Sequence, residues 1–287
     1  MGKAPAPLSA SLPRPLNSVI GRDDEVRAVA GLLRAHRLVS LVGAAGCGKT
    51  RLAVEVAASI EASPEPGLTV SFVDLSAADG DATALAGAAL DALGLERRPD
   101  RGAIDVLAAG CGAGLLVLDN CEHVAAAVAD LIVRLLGVDG DGRILVTSRQ
   151  PLDLADEAVW RVEPLTGEPA LELFRARVFE RSGSPMPAEY EPEAAEICAA
   201  LDGLPLAIEL AAARAALLSV PEVHRLLADR FRVLADAKAA GPAHHRTLRA
   251  TLDWSYQLLD DAERALVRQL SVFRGGWRPE AARALPA

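Results

Sequence analysis

The sequence predicts an α/β fold in which a doubly wound parallel sheet is followed by an all-helical region. Short apolar runs typical of buried strands alternate with helical patterns between residues 38 and 162. A glycine-rich turn at 43–50 follows the first of these runs and opens a helix. From residue 168 onward the strand patterns stop, and only helical patterns continue.

Local patterns predict each element in turn. The first helix opens within residues 18–25, where Asp23 and Asp24 suit the positive end of its dipole. Strands are predicted at 38–42, 68–75, 115–118, 143–147 and 159–162. Helices between them are predicted from Arg51, after the capping residue Asp81, at 103–109 and through 124–135. Further helices are predicted at 168–182, 190–202, 205–218, 220–235, 247–259 and 261–273.

The turn GAAGCGKT matches the pattern Gly-x-x-x-x-Gly-Lys-Thr, and its strand–turn–helix context predicts the phosphate-binding loop of a P-loop NTPase. Glycines let backbone N–H groups surround phosphate oxygens, and the following helix directs its positive end at the same anion. Lys49 is expected to contact the β- and γ-phosphates, and the Thr50 hydroxyl to ligate Mg²⁺. The only other lysines are Lys3 and Lys238. The predicted nucleotide contacts are Gly43, Ala45, Gly46, Cys47, Gly48, Lys49, Thr50 and Arg51.

Three more candidates follow predicted strands at the carboxyl edge of the sheet, where ligands bind in open α/β folds. Asp119 ends an apolar strand and is expected to order Mg²⁺. Asn120 or Glu122 could position the attacking water, and Glu122 is the better base by chemistry. Arg149 follows the strand RILVT, where a guanidinium can contact the γ-phosphate and stabilise developing charge.

Composition narrows the class of protein. The chain has 287 residues, of which 51% are hydrophobic, so it can bury a substantial core. Its net charge of −9 argues against a broad nucleic-acid-binding surface. None of its four cysteines forms a C-x-x-C pair, which favours a reduced cytoplasmic protein. No apolar run approaches the ~18 residues of a membrane span, and no secretory signal region opens the chain.

Six motifs occur along the chain in order: VIGRDDEV (19–26), GAAGCGKT (43–50), LLVLDNCEHV (115–124), ILVTSR (144–149), GLPLA (203–207) and a stretch from TLRATLDWSYQLL (247–259) to LVRQLSVFRGGW (266–277). Together they resemble the STAND class of signal-transducing ATPases, most closely the NB-ARC-like modules of large bacterial transcriptional regulators. Four regions are expected. Composition predicts a flexible lead-in at 1–17, and the local patterns predict a nucleotide-binding domain at 18–165 and a helical domain at 166–240. The resemblance implies a partial winged-helix domain at 241–287.

The resemblance also implies roles for single residues. Val19, Ile20, Gly21 and Arg22 would contact the adenine and ribose, and Pro205 would close over the nucleotide. ADP would hold the module closed, and exchange for ATP would open it and promote self-association. Our own physical hypothesis adds that the γ-phosphate biases a two-state hinge near 164–168. Hydrolysis would be slow. Many relatives carry a second acid directly after the Mg²⁺-ordering aspartate, and Asn120 stands there in this chain.

The predicted function is therefore an ATP/ADP-binding regulatory switch. Because the chain ends soon after Trp277, we expect it to belong to a longer protein with effector and sensor domains. We expect no membrane partner and no direct nucleic-acid binding by this segment. Two alternatives are a plain catalytic ATPase or nucleotide kinase, which would turn over quickly, and a DNA-binding module acting through residues 247–277.

Overall fold

The computed structural model describes residues 12–13, 17, 19–62, 69–138, 141–235, 256 and 261–271. The chain divides into two compact units. The first comprises Met1–Gly43 and Lys49–Val162, and the second comprises Ala44–Gly48 and Glu163–Ala287. None of the described helices combines the length and the apolar character that a membrane crossing would need.

The first unit is built on a parallel sheet of five strands within the described residues, in the order β2-β3-β4-β1-β5. The strands are β1 (Leu38–Val42), β2 (Val70–Asp74), β3 (Leu115–Asp119), β4 (Arg143–Ser148) and β5 (Glu157–Arg161). The helices are α1 (Asp23–Ala35), α2 (Lys49–Glu61), α3 (Ala82–Leu93), α4 (Ala103–Cys111) and α5 (Ala125–Gly137). The predicted α/β class is confirmed.

Helices cover both faces of this sheet. Alternate residues of the central strands, including Leu116 and Ile144, join a buried apolar cluster with α3, α4 and α5. The residues between them, Val117 and Leu145, are equally buried but lie outside that cluster, because successive side chains of a strand point to opposite faces. Helices α1 and α2 pack together, and α2 contacts the same strands. This is the predicted doubly wound arrangement.

Strand register brings the ends of four strands to one edge of the sheet. Val42 of β1 is in register with Ser148 of β4, and Asp74 of β2 is in register with Asp119 of β3. Since β3 and β4 are also neighbours, the side chains at and beyond these positions share the carboxyl edge. This edge carries the polar residues that the sequence singled out.

The described part of the second unit is helical apart from its turns. Its helices are α6 (Glu168–Ser182), α7 (Glu191–Ala200), α8 (Pro205–Ala215), α9 (Val220–Ala235) and α10 (Asp261–Leu270). The bounds of α6 and α9 agree with the predicted 168–182 and 220–235. The helix predicted at 190–202 is shorter, because a 3₁₀ turn at Ala188–Tyr190 precedes it and Asp202 and Gly203 take positive φ after it. The helix predicted at 205–218 ends at Ala215.

Several predicted segments lie outside the described residues. They are most of the lead-in at 1–17, the end of the predicted helical domain at 236–240, the helix at 247–259 except position 256, and the parts of the predicted winged-helix region at 241–246, at 260 and beyond 271. Of that region, the structure describes Tyr256, α10 and its neighbour Ser271. The predicted domain limits therefore remain predictions.

Candidate functional site

The loop between β1 and α2 has the backbone conformation that its glycines permit. Gly46 and Gly48 have φ of +79° and +97°, a region that favours glycine. The helix α2 begins at Lys49, directly after the loop. The Lys49 ammonium donates a hydrogen bond to the Gly43 carbonyl at 3.1 Å. Positive-φ glycines followed by a helix N-terminus form the type of backbone concavity that binds phosphate groups.

Asp119 lies at the centre of a hydrogen-bond network and is 2% exposed. The Thr50 hydroxyl donates to its carboxylate, with distances of 2.8 Å to Oδ1 and 3.0 Å to Oδ2. The Thr147 hydroxyl on β4 donates to Oδ1 at 2.5 Å. The sequence-predicted pair Thr50 and Asp119 is therefore brought into direct contact, together with a threonine that the sequence analysis did not select.

Asn120 links the ends of β2 and β3. Its side-chain amide lies 3.0 Å from Asp74 Oδ1 and 3.0 Å from Asp119 Oδ2 and donates to both. Its φ of +62° is left-handed, a conformation that asparagine tolerates better than most residues. Its backbone N–H donates to Thr147 Oγ1 at 3.0 Å. The Asn120 amide thus hydrogen-bonds to the carboxylates of Asp74 and Asp119, whereas the negative charge of an acid at position 120 would repel both.

The two aspartates of this network have pKa values shifted in opposite directions. Burial raises the pKa of Asp119, and the negative charges of Asp74 and Glu122 raise it further, although hydrogen bonds from Thr147 and Thr50 oppose the shift. Burial also acts to raise the pKa of Asp74, but hydrogen bonds from Asn120 and Ser76 outweigh it and lower that pKa. A cation beside Asp119 would favour its charged form.

The oxygen atoms at this edge fit a hard divalent cation such as Mg²⁺. The hydroxyl of Thr50, in the first turn of α2, contacts the carboxylate of Asp119 at the end of β3. Within the described residues, no group of three His, Cys, Asp or Glu side chains is arranged to hold a metal by itself. Mg²⁺ characteristically takes one or two protein oxygens and completes its shell with phosphate and water oxygens. The donor set therefore suits a cation that arrives with a nucleotide.

Arg149 and Glu122 form an ion pair at the same edge. The Nε of Arg149 donates to Oε1 of Glu122 at 3.1 Å. Glu122 lies in a 3₁₀ turn, Cys121–His123, that follows Asn120. Arg149, the predicted contact of the γ-phosphate, therefore forms an ion pair with Glu122, the predicted base.

In the second unit, the start of α8 contacts the loop residues that belong to that unit. The Leu206 N–H donates to the Gly46 carbonyl at 3.2 Å. A Cβ at Gly46 would lie 3.1 Å from Leu206 Cβ, and one at Gly48 would lie 4.0 Å from Pro205 Cγ. Pro205 occupies the first position of α8, where its missing N–H costs no helical hydrogen bond. The motif GLPLA thus places Pro205 next to the loop segment Ala44–Gly48.

The segment Val19–Arg22, which is predicted to contact the base, leads into α1. Val19 and Ile20 are partly buried, Gly21 is exposed with φ of +68°, and Arg22 is buried. Arg22 pairs with Glu25 of α1 at 2.5 Å. Nearby, Arg51 of α2 hydrogen-bonds to the carbonyl of Asn17 and pairs with Glu55 at 3.3 Å, which ties the chain before Val19 to the first turn of α2.

Sequence comparisons relate the chain to mycobacterial proteins. It is 41% identical over 260 residues to "Putative HTH-type transcriptional regulator Rv0890c" of Mycobacterium tuberculosis, a match that covers 89% of this chain. The chain spans 29% of the length of that regulator. It is also 42% identical over 282 residues to "Uncharacterized protein Rv0894" of the same organism, covering 96% of this chain and 70% of that protein. The chain belongs to the same protein family as Rv0894. No protein-family model matches it.

Structural comparisons place this Rv0894 relative among P-loop ATPases by fold. A STAND protein with a tetratricopeptide repeat sensor from Pyrococcus horikoshii has a TM-score of 0.56 and 18% identity, covering 97% of this chain and 38% of that one. A Walker-type ATPase of Pyrococcus abyssi has a TM-score of 0.52 and 14% identity, covering 88% and 80% respectively. The predicted resemblance to STAND ATPases and to modules of bacterial regulators is confirmed at this level.

Sequence analysis missed two polar residues of the site in this member of the Rv0894 family. Thr147 was present in the motif ILVTSR but was not selected, because a threonine near a strand end has no distinctive spacing. Asp74 was also overlooked, because the predicted strand ran to residue 75 and placed Asp74 inside it, whereas the observed β2 ends at Asp74. The signal that could have found both is their position at strand ends on one side of a parallel sheet.

Proposed function

We propose that this chain is a switch module that binds ATP or ADP with Mg²⁺ and hydrolyses ATP slowly, within a signal-responsive transcriptional regulator. The observation that carries the proposal is the contact between Thr50 and Asp119, 2.8 Å apart, immediately after the glycine-rich loop. The kinship with proteins named as HTH-type regulators supports the regulatory context.

Each residue has a defined task in this proposal. The loop N–H groups and Lys49 bind the phosphates, while Thr50 and Asp119 hold Mg²⁺. When bound, Mg²⁺ neutralises charge on the β- and γ-phosphates. Val19, Ile20, Gly21 and Arg22 bind the adenine and ribose, and Pro205 packs against the nucleotide from the start of α8.

Arg149 distinguishes the two nucleotides in this proposal, because only ATP carries the γ-phosphate that a guanidinium at this edge can contact. Glu122 is the better candidate for orienting the attacking water, since Asn120 is engaged with both aspartates and has no basic side chain. A single candidate base that is paired with an arginine is consistent with slow turnover. Slow hydrolysis would allow the ATP state to persist long enough to be signalled, and we propose that this state self-associates.

Calorimetric titration of the purified chain with ATP and with ADP, with Mg²⁺ and with EDTA, tests the proposal. We expect binding of both nucleotides, tighter with Mg²⁺, and its loss in Lys49→Ala. The matched control is Lys238→Ala, which removes a lysine outside the loop motif. Equal binding by Lys49→Ala and the parent would contradict the assignment of the loop.

Steady-state turnover separates the switch from the catalytic alternative. We expect a rate far below the ~10 s⁻¹ of a typical enzyme. Fluorescence anisotropy with a labelled DNA duplex tests the DNA-binding alternative, and we expect no strongly salt-dependent affinity from this acidic chain.

A further inference from the structure

We infer that Glu122 sets the preference of this chain between ADP and ATP by competing with the γ-phosphate for Arg149. The inference rests on the proposed function, because it requires a nucleotide at the loop. Glu122 would then determine nucleotide specificity in addition to orienting the attacking water.

The position of Arg149 makes the competition possible. Ser148 is the last residue of β4 and is in register with Val42, the last residue of β1. Arg149 and Gly43 directly follow these neighbouring strands, so Arg149 lies beside the start of the phosphate loop. Glu122 is the only ion-pair partner of Arg149 within the described part of the chain.

The two partners differ in their freedom to move. Glu122 sits in a 3₁₀ turn that is closed by a hydrogen bond from the Val124 N–H to the Cys121 carbonyl at 3.1 Å. The Arg149 side chain is 53% exposed and that of Glu122 only 26% exposed. A third phosphate would therefore draw the arginine away, while the carboxylate stays in place.

Loss of Arg149 would leave the Glu122 carboxylate poorly compensated. Its second oxygen, Oε2, is shielded from solvent and has no hydrogen-bond partner among the described residues. The carboxylates of Asp119 and Asp74 are acidic neighbours, since the negative charges of Asp74 and Glu122 both act on Asp119, and a carboxylate left without a partner there is costly. ADP leaves the Arg149–Glu122 pair intact, whereas ATP must break it before Arg149 can contact the γ-phosphate. The pair therefore favours the ADP state.

The size of the bias follows from the exposure of the pair. Ion pairs that are partly open to solvent are weak, and this one is more than half exposed on the arginine side. We expect Glu122→Gln to raise the affinity for ATP relative to ADP by about two- to fivefold. The amide keeps the shape of the side chain but removes the charge that holds Arg149.

The experiment is a double-mutant cycle on binding, without turnover. Dissociation constants for ADP and for the non-hydrolysable analogue with a β,γ-imido bridge are measured by calorimetry in the parent, Glu122→Gln, Arg149→Ala and the double variant. We expect Glu122→Gln to shift the ratio of the two constants toward the analogue only where Arg149 is present. Thermal melting of each variant confirms that it is folded.

A matched control distinguishes this pair from any other surface ion pair. Asp130→Asn breaks the pair with Arg134 on α5, whose atoms are 2.8 Å apart, and should leave the ratio unchanged. An equal shift from Glu122→Gln in the Arg149→Ala background would mean simple charge repulsion and would overturn the inference. An unchanged ratio in Glu122→Gln would also overturn it. If the parent binds neither nucleotide, the proposed function itself fails, and that result is seen before any variant is made.

Discussion

The Thr147 hydroxyl donates a hydrogen bond to Oδ1 of Asp119 at 2.5 Å, although the two residues are 28 positions apart in the chain. The Oγ1 atom of Thr147 also accepts a hydrogen bond from the backbone N–H of Asn120 at 3.0 Å. Thr147 is 1% exposed, so water does not replace either bond. One buried hydroxyl on β4 therefore fixes both the carboxylate at the end of β3 and the left-handed turn that follows it.

We expect Thr147→Val to lower the free energy of unfolding by about 1–3 kcal/mol, because it leaves a buried acceptor and a buried donor each without this partner. It should also reduce the gain in ATP affinity that Mg²⁺ provides, since the Asp119 carboxylate would be less well oriented. Urea denaturation and titrations with Mg²⁺ and with EDTA measure the two effects. Thr147→Ser keeps the hydroxyl and should retain most of the Mg²⁺ gain; equal gains in the valine variant and the parent would contradict this role.

Gly203 of the GLPLA motif is required by backbone geometry. Its φ is +64°, and an added Cβ would lie 1.8 Å from the Leu165 carbonyl oxygen. The Leu165 N–H also donates to the Gly203 carbonyl at 2.9 Å, so the two segments cannot separate without losing that bond. We expect Gly203→Ala to destabilise the chain by about 3 kcal/mol or more, because strain and steric overlap add.

The matched control for that variant is Gly183→Ala at the end of α6. Gly183 has φ of +71°, but a Cβ there would meet nothing within 4 Å. Its substitution should cost only about 1 kcal/mol, the strain of a left-handed alanine. Chemical denaturation of both variants measures the difference, and equal costs would contradict the close approach to Leu165.

Asp81 caps α3. Its side chain accepts a hydrogen bond from the Ala84 N–H at 2.9 Å. Asp81→Ala should lower the free energy of unfolding by about 0.5–2 kcal/mol, because one N-terminal N–H loses its acceptor. The exposed neighbour Asp79 offers the control, since Asp79→Ala removes the same charge without a cap. Similar losses in the two variants would indicate a general charge effect.

Burial raises the pKa of the Cys111 thiol to about 11. Because burial favours the neutral thiol, only a small fraction of Cys111 is thiolate near pH 8. That fraction increases as the pH rises toward the pKa of about 11. We expect native Cys111 to react with iodoacetamide at pH 8 about a hundred times more slowly than in the unfolded chain. Mass spectrometry of the peptide that contains Cys111 gives both rates, and comparable rates at pH 8 would contradict the shift.

Local patterns were sufficient to predict most elements. The strands β1, β3 and β4 and the helices α6 and α9 arise where apolar periodicity and flanking turn residues agree. The capping role of Asp81 was also predicted, because it depends on residues only three positions apart. The order of the strands was not predicted, since it depends on which elements pair across the sheet.

The sequence predicted only those parts of the site that depend on residues close together in the chain. Lys49 and Thr50 occur in a compact motif, and their neighbours in the chain identify them. The Arg149–Glu122 pair and the Thr147–Asp119 bond join residues 27 and 28 positions apart, and no local pattern encodes them. The left-handed Asn120, which joins Asp74 to Asp119, depends equally on the sheet register.

The nucleotide that the protein retains tests the central claim most directly. The parent and Lys49→Ala are purified without added nucleotide and denatured, and the released nucleotide is identified and quantified by chromatography. The switch predicts nearly one ADP per chain in the parent and its loss in the variant. A parent that releases no nucleotide and turns ATP over near the ~10 s⁻¹ of a typical enzyme would contradict it and favour a plain ATPase.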